Sequence, residues 1–107
     1  MEINQYGIVL VELEAYKDAK MAYTRPCAVV SPNEMNRYLK TLVVAPMTTR
    51  ARTYPTRVRV RHNKQTGWIA VDQIITIDRN KVIRNLGKLT NPEIRKLKNV
   101  IRECYVD

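Results

Sequence analysis

The sequence has no phenylalanine, one histidine, one tryptophan and three glycines among 107 residues. A lone His62 cannot supply the cluster of imidazoles that most catalytic metal centres use. The closest carboxylate pairs are Glu12/Glu14, neighbours on one strand face, and Asp72/Asp78, either side of a strand. Neither spacing gathers a metal ion, so no metal is expected. Gly7, Gly67 and Gly87 are far apart, which excludes a glycine-rich phosphate loop; no cofactor is expected. Two cysteines are present: Cys27 in an apolar run, and Cys104 near the end of a helical pattern. Both read as buried free thiols of a reducing cytosol. Residues 1–5 lack the basic region and apolar stretch of a signal peptide. The apolar runs are too short to span a membrane. A cytoplasmic protein with no membrane partner is expected.

Positive charge is in excess. Nineteen Lys and Arg face ten Asp and Glu, a formal net charge of +9. Such a field concentrates polyanions, and clustered Arg makes nucleic acid the leading partner class. Residues 1–107 suit one domain with a modest core of Ile, Val and Leu.

The first half reads as strands. Residues 8–13 are β-rich and alternate at their end. Residues 14–24 read as a long loop and residues 26–30 as a buried strand. Ser31-Pro32-Asn33-Glu34 reads as a capping box opening a short helix through Met35 and Tyr38. Residues 41–45 form a buried strand that Pro46 is expected to end, and residues 48–55 a second loop. Residues 56–62 alternate strictly, predicting a half-exposed strand. Residues 63–66 are expected to turn. Residues 68–71 and 73–77 follow as strands, or as one bent strand, and Asp78 is placed to cap a turn around Val82. Thr90-Asn91-Pro92-Glu93 is a second capping box. It opens a helix with an apolar face of Ile94, Leu97, Ile101, Cys104 and Tyr105. The fold class this predicts is mainly β: a small, strongly curved antiparallel barrel with a short helix and a C-terminal helix over one side.

The chemistry left open is cleavage of RNA, which carries its own nucleophile in the 2′-hydroxyl. The protein must then neutralise the phosphoryl oxygens and help move two protons. Arg and hydroxyl donors suit the first task. A general acid or base adds typically ~10²–10⁴ in rate. Arg50, Arg52, Arg57, Arg59 and Arg61 crowd one stretch of the chain. On the predicted strand, Arg57, Arg59 and Arg61 share a face about 6.7 Å apart, with Val58, Val60 and His62 on the other. The ladder suits phosphates better than carboxylate partners, which are few. His62 lies opposite it and reads as a satisfied or surface residue. Trp68 and Tyr54 are candidates to stack bases, though Trp68 reads more readily as a core or dimer contact.

Three stretches then carry a resemblance. Thr24-Arg25-Pro26-Cys27-Ala28-Val29-Val30-Ser31-Pro32 resembles the Arg-Pro strand of MazF/PemK toxins. Val43-Val44-Ala45-Pro46-Met47-Thr48-Thr49-Arg50 resembles their strand leading to a catalytic Thr. Thr66-Gly67-Trp68-Ile69-Ala70-Val71-Asp72-Gln73-Ile74, with Thr76-Ile77-Asp78, resembles their Asp-Gln strand. The match runs in register from about Tyr6 to Tyr105. It implies an SH3-like barrel of the MazF/PemK/CcdB type that forms a homodimer. It implies metal-independent cleavage of single-stranded RNA at short motifs, within a type II toxin–antitoxin system whose antitoxin blocks RNA with an acidic, flexible tail. Carried over, Arg25 and Thr48 are the catalytic pair, with Thr49 the competing hydroxyl. Asp72 is either an acid/base or a site-orienting residue, with Gln73 beside it. Lys20, Tyr23, Thr49, Arg50, Arg52, Tyr54, Arg57, Arg59, Arg61 and Gln73 are the candidate RNA-binding residues. Two departures leave the general acid and base unassigned. Asp18-Ala19-Lys20-Met21 stands where relatives often have Gly-Ser-Glu-Gln, and Ala70 where one branch has a second Arg. The competing readings are a non-enzymatic, gyrase-poison type of toxin or a plain nucleic-acid binder on the same barrel.

Overall fold

The computed structural model describes residues 1–14, 22–50 and 54–106. Seven antiparallel strands follow in chain order: β1 (Gly7–Glu14), β2 (Ala22–Val29), β3 (Thr41–Thr48), β4 (Arg57–His62), β5 (Gln65–Ala70), β6 (Ile75–Asp78) and β7 (Val82–Lys88). Helix α1 (Asn33–Tyr38) joins β2 to β3, and helix α2 (Asn91–Ile101) follows β7. The strands pair in the order β4-β5-β3-β2-β1-β7, with β6 on the first half of β3. The sheet curls until its two ends meet: a Cβ on Gly87 of β7 would lie 3.0 Å from Cε1 of His62 on β4. Gly87 adopts φ +145°, so both backbone and space require glycine there. Among the described residues no helix is long and apolar enough to cross a membrane.

Strand periodicity divides the apolar residues between two faces. Ile8, Ala28, Ala45, Met47, Val58, Val60 and Ile69 share one core with Leu97 of α2. Ile3, Val9, Val11, Cys27, Val29, Leu42, Val44 and Ile77 form a second core on the opposite face. This is the curled half-barrel with a C-terminal helix that the strand pattern predicts.

Several boundaries differ from the sequence reading. β2 begins at Ala22, because Tyr23 and Thr24 pair with Leu13 and Glu12; the predicted loop was too long at that end. At its other end Glu14 still belongs to β1, and residues 15–21 lie outside the described residues. β3 runs through Pro46 to Thr48. Pro46 falls where β3 changes partner on one edge, from β6 up to Val44 to β5 from Met47, so the missing N–H breaks no ladder there. Ser31 caps nothing. Its buried hydroxyl donates to Asn36 Oδ1 at 2.6 Å and accepts from the Val43 N–H at 3.1 Å, and Pro32 takes the cap position instead. The 63–66 turn shrinks to Asn63 and Lys64, both at positive φ, as the twist of a two-residue hairpin demands. Asp78 makes no side-chain cap over the 3₁₀ turn Arg79–Lys81. β7 went unread, and two register shifts against β1 explain why: they break the alternation that would mark it.

The second capping box forms as read. Thr90 Oγ1 accepts from the Glu93 N–H at 3.4 Å, and Glu93 Oε1 accepts from the Thr90 N–H at 2.8 Å. Glu93 does more: its Oε2 accepts from the Arg61 N–H at 2.8 Å, on the open edge of β4. Leu97 is buried, and Ile94 and Ile101 pack beside it. Cys104 and Tyr105 do not join that face. The helix loosens into a wider turn over Arg102–Val106, leaving both exposed; Tyr105 reaches back to donate to the Val71 carbonyl at 2.7 Å.

Candidate functional site

Cross-strand register builds the site. In an antiparallel sheet, directly opposed residues point to the same face. Arg59 opposes Trp68, and Trp68 opposes Thr48. On the other side of β3 the pairing with β2 runs from Val29–Val44 to Cys27–Pro46, and Arg25 and Thr48 each lie two residues beyond its end. Arg25 Nε donates to the Met47 carbonyl at 3.0 Å, which holds its side chain against the end of β3. Thr48, Trp68 and Arg59 therefore form one row across β3, β5 and β4, and Arg25 stands at its β2 end through its bond to Met47. The row lies on the face opposite the α2 core, just past the end of the second core.

Each member of the row is available. Arg25 is half-buried, and its two terminal nitrogens have no partner among the described residues. Thr48 Oγ1 accepts from the Arg50 N–H at 3.2 Å, which leaves its own hydrogen free to donate. The arrangement offers a forked cation and a hydroxyl donor to one tetrahedral anion. Cys27, beside Arg25, is no nucleophile. Its Sγ contacts the Arg25 carbonyl at 3.7 Å, and burial pushes the thiol up to about 12 against a smaller downward pull from the Arg25 guanidinium.

The remaining candidates divide. Thr49 and Arg50 are exposed just beyond Thr48. Arg59 and Arg61 are exposed on β4, but Arg57 is not a free phosphate ligand. Its Nε lies 3.3 Å from Asp72 Oδ1 without hydrogen-bond alignment, while Nη2 donates to Asp72 Oδ2 at 3.5 Å. Its side chain is 10% exposed, and its guanidinium sits 5.7 Å from the centre of the exposed Tyr54 ring. Asp72 and Gln73 stand together in the 3₁₀ turn Val71–Gln73, the Asp72 carboxylate held by Arg57. Tyr23 is exposed on β2. Lys20 and Arg52 lie outside the described residues.

Two residues sit differently from the reading the sequence favoured for them. Trp68 belongs to neither core cluster and is half-buried in the row itself. Its apolar neighbours Ile69, Ala70 and Val71 gave no alternation to show which way it faced. His62 is not satisfied. Its Nε2 is shielded from solvent and has no hydrogen-bond partner among the described residues. It lines a cavity of about 80 Å³ with Pro26, Thr48, Thr49 and Gln65 at the mouth of the barrel. A larger groove of about 870 Å³, between Met1, Tyr38, Leu39 and Val82, contains none of the candidate residues. Among the described residues no three His, Cys, Asp or Glu side chains gather as a metal site.

The fold and this row define a small, basic, curled β-barrel with an Arg/Thr pair on an open strip of sheet. Residues 4–105 match the family described as the PemK-like, MazF-like toxin of type II toxin–antitoxin systems, and the chain belongs to that family. A curated relative, Endoribonuclease MazF of Staphylococcus saprophyticus subsp. saprophyticus, is 25% identical over 100 residues, covering 88% of this chain and 83% of that protein. Among solved structures, an endoribonuclease in complex with its cognate antitoxin from a mycobacterial species is 24% identical. It matches with a TM-score of 0.81 over 94% of this chain and 92% of the other. A MazE-MazF structure from Deinococcus radiodurans is 19% identical and matches with a TM-score of 0.84 over 97% and 96%. These two likenesses speak to fold.

Proposed function

We propose that this toxin is an endoribonuclease that cuts single-stranded RNA at short sequence motifs by attack of the RNA's own 2′-hydroxyl, without a metal. The observation that carries the reading is the hydrogen bond from Arg25 Nε to the Met47 carbonyl, which tethers the guanidinium at the end of β3 that carries Thr48. Arg25 holds the phosphoryl oxygens and stabilises the charge that builds on them in the pentavalent transition state. Thr48 donates a hydrogen bond to the same phosphate. The products are a 5′-hydroxyl and a 2′,3′-cyclic or 3′-phosphate. Asp72 acts as a positioning residue by fixing Arg57 at the rim of the site. The active form is a homodimer, and the cognate antitoxin inhibits it by laying an acidic, flexible tail over the cationic strip. The names of the relatives, one an endoribonuclease and one bound to its antitoxin, support the same reading.

The test is cleavage of a mixed RNA pool in excess chelator, with 5′-hydroxyl ends mapped by sequencing. Wild type is expected to cut RNA and spare DNA of the same sequence. Arg25→Ala is expected to lose ~10²–10³-fold or more in rate, the scale of one transition-state donor. A folded Arg25→Ala protein with full activity overturns the assignment. A wild type that cuts nothing leaves the binding-module reading in its place.

A further inference from the structure

The geometry points to Trp68 as the platform on which one nucleobase of the bound RNA stacks, with Arg25 and Arg59 taking the phosphates on either side. This rests on the ribonuclease reading above and adds to it the residue that seats the substrate beside the scissile phosphate.

Four observations converge on the indole. Register puts it directly between Thr48 on β3 and Arg59 on β4, on the same face as both. An aromatic of this size normally contributes heavily to a core, yet Trp68 is part of neither apolar cluster. Its ring N–H has no hydrogen-bond partner among the described residues and is not shielded from solvent, so a ligand can reach it. Arg59 is exposed and unpaired among the described residues, whereas its neighbour Arg57 is committed to Asp72.

Spacing fits a nucleotide chain. Neighbouring strands lie about 4.8 Å apart, so Arg59 and Arg25 bracket the indole over roughly 14 Å of sheet. A base lying on the ring sits within one strand spacing of Thr48. Its backbone then runs along the row from one guanidinium to the other. Stacking on an aromatic face tolerates any base. Trp68 therefore sets how tightly RNA is held and how it is aligned, and the choice of cleavage motif lies with other residues.

Trp68 is the only tryptophan in the chain, so its emission reports on this one site. The experiment titrates wild-type protein with a labelled, uncleavable oligonucleotide carrying 2′-deoxy sugars at the cut site. Indole emission and label anisotropy are read together. Emission is expected to quench saturably, in step with the anisotropy. In cleavage assays Trp68→Ala is expected to raise KM about five- to a hundredfold, with the loss falling mainly on KM and the cleavage pattern kept. Trp68→Tyr, which keeps an aromatic face and also guards against a folding defect in the alanine variant, is expected to recover most of it. Binding without any change in emission overturns the proposal, as does a folded Trp68→Ala protein with unchanged KM. Emission that responds to protein dilution but not to RNA also overturns it, because a second copy then covers the ring. If RNA binds and quenches but is never cut, the ribonuclease reading falls and the platform stands.

Discussion

Arg25 spends one hydrogen bond on the Met47 carbonyl and faces its substrate with the rest of the guanidinium. That tether fixes the fork before RNA arrives, so less side-chain freedom is lost on binding. A lysine at this position keeps the charge but loses both the tether and the two-pronged donor. Arg25→Lys is therefore expected to lose at least ~10-fold in kcat, with RNA affinity changed much less, as single-turnover kinetics would read. Next to it, Cys27 ties stability to pH. Its folded value, raised to about 12 from an ordinary 9.0, keeps the thiol protonated in the native state while the unfolded chain ionises first. The contribution is fully present below about pH 9 and is lost as pH climbs towards 12. Thermal melts from pH 8 upward are expected to fall more steeply for wild type than for Cys27→Ala. At this scale the sequence was legible as to place: the motifs that singled out Arg25 and Thr48 put both at the same end of β2 and β3. It was opaque where pairing decides the direction a side chain faces. Trp68 read as a core or dimer contact more readily than as a stacking platform because it starts an apolar run, and His62 read as satisfied or surface because its surroundings come from Pro26, Thr48 and Gly87, remote in sequence.

The first turn of helix α2 carries a residue with two duties. Glu93 closes the capping box on Thr90 and binds the Arg61 N–H at the edge of β4. Glu93→Ala thus removes a helix cap and leaves an edge donor without its partner. The expected loss is about 1–3 kcal/mol, measured by urea unfolding, with Glu93→Gln recovering part of it. The box itself could be read from four residues because capping is local chemistry. The similar pattern at Ser31 misled because tertiary contacts to Asn36 and Val43 claimed the hydroxyl. β7 was illegible for a related reason: its register shifts belong to its pairing with β1, not to its own residues. Strands with clean alternation, β4 above all, were found in place.

For the whole molecule, the excess of nine positive charges sets the affinity for any polyanion. RNA binding is expected to weaken with salt at a log–log slope of about −0.7 per phosphate engaged. Removing Arg59 should reduce that slope by about one contact, while Arg57→Ala should reduce it less, since that guanidinium is already paired. Filter binding of uncleavable RNA across a salt series checks both. The curled sheet was predictable from many short strands followed by one amphipathic helix. The way its ends meet, through a histidine on β4 against a glycine on β7, was not, because no local pattern encodes a contact between the two most distant strands of a sheet.

The double role of Glu93 has a consequence for biosynthesis. All seven strands leave the ribosome before the residue that seals the rim of β4. During that interval a nascent chain presents an unprotected strand to its neighbours on the same message, and bare rims recruit strands from other chains. Slowing translation over the codons read while β4 is outside the ribosome and Glu93 still inside it would lengthen that exposure and favour insoluble product over native toxin.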